Sequence, residues 1–362
     1  TSWTIPGNRE IAYSKDIAYG LYEVTERSED SFAALGEKLW IAEVLKDQIE
    51  KHAKIKLTFI KKVDPKTVAY CFHPLRKVGG YQFLVPLLAG DHVTADTGTG
   101  FVHTAPGHGE DDFNLWRDSG AALDELEIDR TIPRTVAEDG SFYSSVEGFA
   151  GKRILTPEGK DGDANGAVIK ALIEAGALLA KGTLRHSYPH SWRSKAPVIF
   201  RATPQWFAAM DKEIPGGGTL RTRAMKAIGD TTWYPPSGEN RIAGMVKDRP
   251  DWVLSRQRAW GVPLAIFVDR KTDKILNDAE VNARITDAFR AEGADAWFKP
   301  GSAARFLGSK YNAEDYEQVR DILDVWFDSG STHVFTVEQP LEPEWPQKDH
   351  ADLYLEGSDQ HR

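Results

Sequence analysis

The sharpest break in this chain of 362 residues is Pro215-Gly216-Gly217-Gly218. Three successive glycines lose the most backbone freedom on ordering, so such a run belongs in neither a helix nor a strand. Placed just after Gln205-Trp206-Phe207, it is expected to lie near a junction between two compact units. Length agrees, because the chain exceeds the size of one typical domain. Apolar residues make up 41 % and charged residues 27 %, enough for a real core, and no apolar run approaches the ~20 residues of a membrane span. A soluble globular protein with no membrane partner is expected. The opening Thr1-Ser2-Trp3, with no initiator Met and no leader, reads as cut from something longer.

Cys71 is the single cysteine, which excludes an internal disulfide and a cysteine zinc cluster and suits a reducing, cytoplasmic compartment. A net charge of -9 excludes a surface coated uniformly for nucleic acid, since phosphate binding is driven by Lys and Arg. A local patch remains: Lys181, Arg185, His186, His190, Arg193, Lys195 and Arg201, interleaved with Tyr188, Trp192 and Phe200. Composition alone favours reading that run as a solvated charged face.

Ile11 to Ser14 and Ala18 to Val24 read as strands. Ile41, Leu45 and Ile49, four apart with Val44 beside them, predict an amphipathic helix from about Gly36 to His52. Ile55 to Val63 and Thr67 to Phe72 read as strands, and Gly98 to His103 as a strand entering an active loop. Ala167 to Ala175 predicts a helix with Asn165 as N-cap and Gly176 as its left-handed C-cap, followed by a strand near Leu178 to Leu184. Beyond the glycine run, alternating elements suggest α/β layers.

Chemistry concentrates in five stretches. Gly98-Thr99-Gly100-Phe101-Val102-His103-Thr104-Ala105-Pro106-Gly107-His108-Gly109-Glu110-Asp111-Asp112-Phe113 brings glycines, two imidazoles and three carboxylates together. A metal site is disfavoured because Pro106 separates the two histidines and they cannot share a regular helix. The plain structural alternative is a turn with capping acids ahead of a helix near Asp111. Thr1-Ser2-Trp3-Thr4-Ile5-Pro6-Gly7-Asn8 carries hydroxyls that could position a water molecule, or simply a turn. Trp252 to Gly261 packs Arg256 and Arg258 with two indoles, suited to phosphate and stacking contacts or to a surface ion-pair segment. Asp324 to Gly330, with Trp326, is the fourth stretch and Tyr354 to Arg362 the fifth, and in the fifth polar residues follow directly after an apolar strand, where α/β sheets bind ligands.

In this order the five stretches, with His186 to Arg193 and Ala202 to Phe207, resemble bacterial isoleucyl-tRNA synthetases through essentially the whole chain. The resemblance implies an α/β fold in which a β-rich editing domain, residues 1–200, is inserted in a partial Rossmann-like class I catalytic domain, residues 201–362. It implies hydrolysis of valine wrongly esterified to tRNA(Ile). His103 would line the pocket and exclude isoleucine, Asp112 would hold the substrate's α-ammonium, and Thr1 and Thr4 would orient the attacking water. Asn8, Gly98, Thr99, Gly100 and His108 would complete that binding surface. Glu356, Gly357, Asp359 and Gln360 would contact isoleucyl adenylate, with Trp326 and Ser255 to Arg258 nearby.

His-Ile-Gly-His and Lys-Met-Ser-Lys-Ser, the family's nucleotide signatures, are absent from the chain, so ATP and magnesium are expected to serve the longer parent enzyme and no cofactor this piece. Some relatives carry a zinc-binding Cys-x-x-Cys where Ser191 and Ser194 stand, and no zinc is expected here. Further threonines normally precede Thr1, so reduced editing is expected of the piece. The expected partners are tRNA(Ile), isoleucine and valine, with a monomeric enzyme. The competing reading is a non-catalytic tRNA-binding fragment.

Overall fold

Glu10 and Ala12 alternate with Ile11 and Tyr13, yet Glu10, Ala12 and Tyr13 are all buried. A strand buried on both faces belongs inside a sheet. In the computed structural model, which describes residues 1–96, 98–183, 187–192, 194–258 and 260–357, Glu10–Tyr13 (β1) is such a strand. It is followed by Tyr19–Arg27 (β2), Lys38–Ala42 (β3), helix Lys46–Ala53 (α1), Ile55–Val63 (β4), Tyr70–Phe72 (β5), Leu84–Ala89 (β6) and Phe101–Thr104 (β7). Helices Glu110–Asp118 (α2), Gly120–Glu125 (α3) and Ala164–Glu174 (α4) follow. One sheet has the order β5-β6-β1-β7 and the other β3-β2-β4. β1 runs parallel to β6, with Ile11 opposite Leu87, and antiparallel to β7, with Ile11 opposite His103.

Several expectations are met and some are corrected. β1, β2 and β4 stand where the strand pattern puts them. The helix expected from Gly36 is a helix only from Lys46: Lys38–Ala42 is β3 and Glu43–Leu45 a 3-10 turn. Ile41, Leu45 and Ile49 do share one core, but Trp40 and Ile41 find ladder partners in Leu21 and Gly20 of β2, and cross-strand pairing overrides the helical period. The strand expected from Thr67 begins at Tyr70, because Asp64 accepts from the Lys66 N–H and winds Pro65–Thr67 into a 3-10 turn. Asn165 is not the N-cap of α4. It lies inside the helix, and its Oδ1 accepts from the Trp3 N–H at 3.0 Å. Gly176 is left-handed as expected, at φ 65°. No strand forms over residues 178–183; Leu178 and Leu179 pack against two different cores instead of a ladder.

Two compact units result, 1–203 and 204–362. The second contains Phe207–Ala208 (β8), Leu220–Gly229 (α5), Ser237–Lys247 (α6), Trp252–Val253 (β9), Ser255–Arg256 (β10), Phe267–Asp269 (β11), Ala279–Glu292 (α7), Ser302–Leu307 (α8), Tyr316–Gln318 (β12), Ile322–Leu323 (β13) and Val325–Gly330 (α9). Its strands pair antiparallel in twos, β8 with β9, β10 with β13 and β11 with β12, so the whole chain is mixed α/β with several sheets. A parallel sheet is not formed among the described residues of this unit. Trp297 is its fully buried centre, stacked on Phe306 at 5.6 Å and donating from Nε1 to the Val319 carbonyl. The run Pro215 to Gly218 is a closed turn inside this unit. Ile214 donates to Gly218, and the Arg223 guanidinium donates to the carbonyls of Pro215 and Gly217. Thr219 and Thr222 then form the capping box of α5.

Candidate active site

Asn8 closes the 3-10 turn Ser2–Gly7 and starts the run into β1, so pairing of β1 with β7 brings the opening segment against His103. The polar groups then interlock. Asn8 Nδ2 lies 2.7 Å from His103 Nδ1 and donates to the carbonyls of Glu10 and Thr104. His103 Nε2 lies 2.8 Å from Thr4 Oγ1, which donates to the Thr1 carbonyl at 2.7 Å. With Nδ1 unprotonated, Nε2–H donates to Thr4 and Thr4 donates to the Thr1 carbonyl, while the two amide protons of Asn8 are shared among three acceptors, Nδ1 and the carbonyls of Glu10 and Thr104. Burial, with His73 and His108 adding to it, pushes His103 down to about 3, so the imidazole is neutral at physiological pH.

Asp112 lies in the first turn of α2, and its Oδ2 accepts from the Ala105 N–H at 2.8 Å. Oδ1 has no hydrogen bond within the described residues. Burial pushes this carboxyl up, with the Ala105 N–H opposing. The arrangement is a neutral donor and acceptor chain beside one carboxylate with an unused oxygen, and it can receive a cation and a polar neutral group together.

Other expected residues have different duties. Thr1 is exposed and joins through its carbonyl. His108 Nδ1 donates to the Phe200 carbonyl, Nε2 accepts from Thr135, and the ring meets Trp3 edge-on at 4.9 Å. It therefore fastens the turn after β7. Gly98, Thr99 and Gly100 stand at the opposite end of β7 from Ala105. The Ala42 N–H donates to Thr99, Tyr19 donates to the Gly100 carbonyl, and a Cβ at Gly100, φ 80°, would fall 2.5 Å from Ala42 Cβ. Gly100 sets the start of β7 against the end of β3.

Three residues escaped the sequence reading. His73 donates from Nε2 to the Ile5 carbonyl and stacks on Tyr81, pinning the opening turn. Thr135 orients His108. Glu10 is fully buried, neither carboxyl oxygen has a hydrogen bond within geometric limits among the described residues, and burial together with Asp112 pushes it up to about 8 against an opposing contribution from Thr104. Its alternation with Ile11 was the available signal, since an acid at an inward strand position is costly.

In the second unit Asp324, buried, accepts from Arg256 Nη2 at 2.7 Å, Trp252 Nε1 at 2.9 Å and the Trp326 N–H. Trp326 itself is half-exposed. Glu356 and Gly357 are exposed and outside regular structure, while Asp359 and Gln360 lie outside the described residues. So do Arg185, His186 and Arg193 of the basic patch.

Residues 6–362 match the family described as tRNA synthetases class I (I, L, M and V), and the chain belongs to it. Over its whole length it is 54 % identical to an isoleucine–tRNA ligase of Bradyrhizobium diazoefficiens and 52 % identical to those of Brucella abortus and Caulobacter vibrioides. It spans 38 %, 38 % and 37 % of those proteins' lengths. Among solved structures, a crystal structure of GlLeuRS-CP1 aligns with 51 % of the chain and 82 % of its own at 14 % identity and a TM-score of 0.35. No helix among the described residues is long and apolar enough to cross a membrane.

Proposed function

We propose that residues 1–203 hydrolyse the ester of a wrongly charged tRNA, removing valine from tRNA(Ile), and that residues 204–362 belong to the part of the enzyme that activates isoleucine. The observation that supports this most is the neutral relay Asn8–His103–Thr4 beside Asp112. An aminoacyl ester carries an α-ammonium, for which the unused oxygen of Asp112 is the natural partner. Its carbonyl is already activated, so placing a water against it supplies much of the rate. Water oxygen bonds to the carbonyl carbon, the ester C–O bond breaks, and the ribose oxygen leaves with the proton that water gives up. The single N–H proton of neutral His103 is committed to Thr4, so the ring serves as a fixed wall, with Thr4 and Thr1 at the water's side.

Discrimination is the reason for such a site: one methylene in an apolar pocket is worth only about 1–3 kcal/mol, valine against isoleucine being the usual example. On this reading the longer enzyme is a cytoplasmic monomer that takes ATP with magnesium, isoleucine and tRNA(Ile) at its ligase site, where Trp326, Glu356, Gly357, Asp359 and Gln360 contribute. Asp112→Ala should lower deacylation of Val-tRNA about 100-fold, as loss of a charged contact of about 3 kcal/mol requires. Equal hydrolysis by both proteins would remove Asp112 as the ammonium's anchor. His103→Ala should admit Ile-tRNA as a substrate.

A further inference from the structure

Arg9 follows Asn8 directly, and none of the chemistry above uses it. Its guanidinium lies 4.1 Å over the Phe83 ring and donates from one nitrogen to the Asn8 carbonyl at 2.6 Å. Among the described residues it enters no ion pair. Burial pushes it down to about 10, with Tyr81 and the Asp129 carboxylate opposing. A half-buried guanidinium that makes one hydrogen bond and no ion pair at contact distance among the described residues has further donors to offer a ligand.

Arg9 lines a cleft of about 190 Å³ with Arg134, Tyr81, Phe83, Ser145 and Glu147. Two guanidiniums and one carboxylate line it, with a hydroxyl and aromatic rings in the wall, and the Asp129 carboxylate acts on Arg9 from outside the lining. Pro6, from the turn that carries Thr4, also lines it. The segment before Phe83 extends the same chemistry: Phe72 is 58 % exposed with Arg76 4.2 Å over its ring, and Gln82 Nε2 donates to the Arg76 carbonyl. An exposed ring under a guanidinium is what single-stranded nucleic acid stacks on.

We propose that the cleft at Arg9 is a phosphate subsite. It takes the phosphodiester that precedes the terminal nucleotide of the RNA whose ester is hydrolysed at Thr4, His103 and Asp112, and Phe72 with Arg76 receives a base further upstream. The assignment rests on the ester-hydrolysis reading for the identity of the ligand. Its chemistry is planar, bidentate recognition of an oxyanion, which a guanidinium performs and an ammonium does not. Asn8 touches His103 and is covalently joined to Arg9, and Pro6 of the Thr4 turn lines the cleft, so the same short segment serves both places.

The test compares the 362-residue chain with Arg9→Ala, Arg9→Lys and Arg134→Ala on two substrates, 3′-valyl-adenosine, which has no phosphate, and a valylated RNA. Binding of an uncharged single-stranded RNA oligonucleotide is followed by anisotropy over a salt series. The expected result is a KM for valyl-RNA raised about tenfold more than that for valyl-adenosine in Arg9→Ala, partial recovery in Arg9→Lys, and a salt slope shallower by about 0.7. Exposed Arg134 tests the same cleft if Arg9→Ala fails to fold. Equal losses on both substrates would make Arg9 a brace for Asn8 and overturn the subsite, as would unchanged RNA affinity and salt slope in the Arg9 and Arg134 variants. If the parent chain hydrolyses neither ester, the hydrolysis reading falls, and the binding series still decides the phosphate contact.

Discussion

Two polar knots, one in each unit, join residues far apart in sequence, and they differ in what they leave unused. In the second unit Asp324 takes donors from Arg256, Trp252 and Trp326, so charge and acceptor capacity are met from within. In the first, Asn8, His103 and Thr4 form a chain with no net charge, and Asp112 keeps one oxygen without a hydrogen bond among the described residues. A closed ion pair is a fastener. On the reading proposed above, a neutral relay next to an incompletely matched carboxylate is a place for a ligand, with Glu10 buried behind it.

That contrast is broken most easily at Glu10. The unfolded chain ionises this carboxyl near 4.5, whereas the folded one holds its proton up to about 8. The native state therefore binds the extra proton across that window, and stability falls as pH rises through it. Glu10→Gln should flatten the slope and be more stable than the parent at pH 8 by on the order of 4 kcal/mol. Urea titrations at pH 5 and pH 8 measure it, and an unchanged slope would disprove the assignment. Asp324→Ala should destabilise by about 3 kcal/mol, discounted because Arg256 is partly exposed and can rehydrate, while deacylation stays intact; loss of hydrolysis would join the two knots functionally. Asn8→Ala strands His103 Nδ1 and two carbonyls, for about 2 kcal/mol of stability together with loss of hydrolysis. Retained hydrolysis would reduce the relay to a scaffold. Trp326→Ala, at a half-exposed position, should change stability by less than about 0.5 kcal/mol and leave deacylation alone.

The contrast also explains what could be read beforehand. His103, Asp112, Thr4 and Asn8 were legible because glycines, imidazoles and acids crowd two short stretches, and the structure brings those stretches together. β1, β2 and β4 were legible from alternation. The segment before α1 was not, because Ile41, Leu45 and Ile49 satisfy a helical period and only the ladder to β2 decides otherwise. Asn165 has the right chemistry for a cap, but the Trp3 N–H, 162 residues away, claims it. His73, Thr135 and Glu10 stayed hidden for the same reason: their roles come from tertiary neighbours, and no local spacing announces them. The glycine run announced a boundary, and Arg223 turned it into a stapled corner.

The position of β1 has a consequence for how the molecule is made. Its partners on both sides, β6 and β7, leave the ribosome after it, and His103 follows Thr4 by 99 residues. At about 5–20 residues per second the opening strand waits on the order of 5–20 s before either neighbour exists. Glu10 spends that interval in water as a carboxylate and must take up a proton as β7 docks beside it, so the last strand to arrive completes the sheet, the relay and the protonation of its floor in one event.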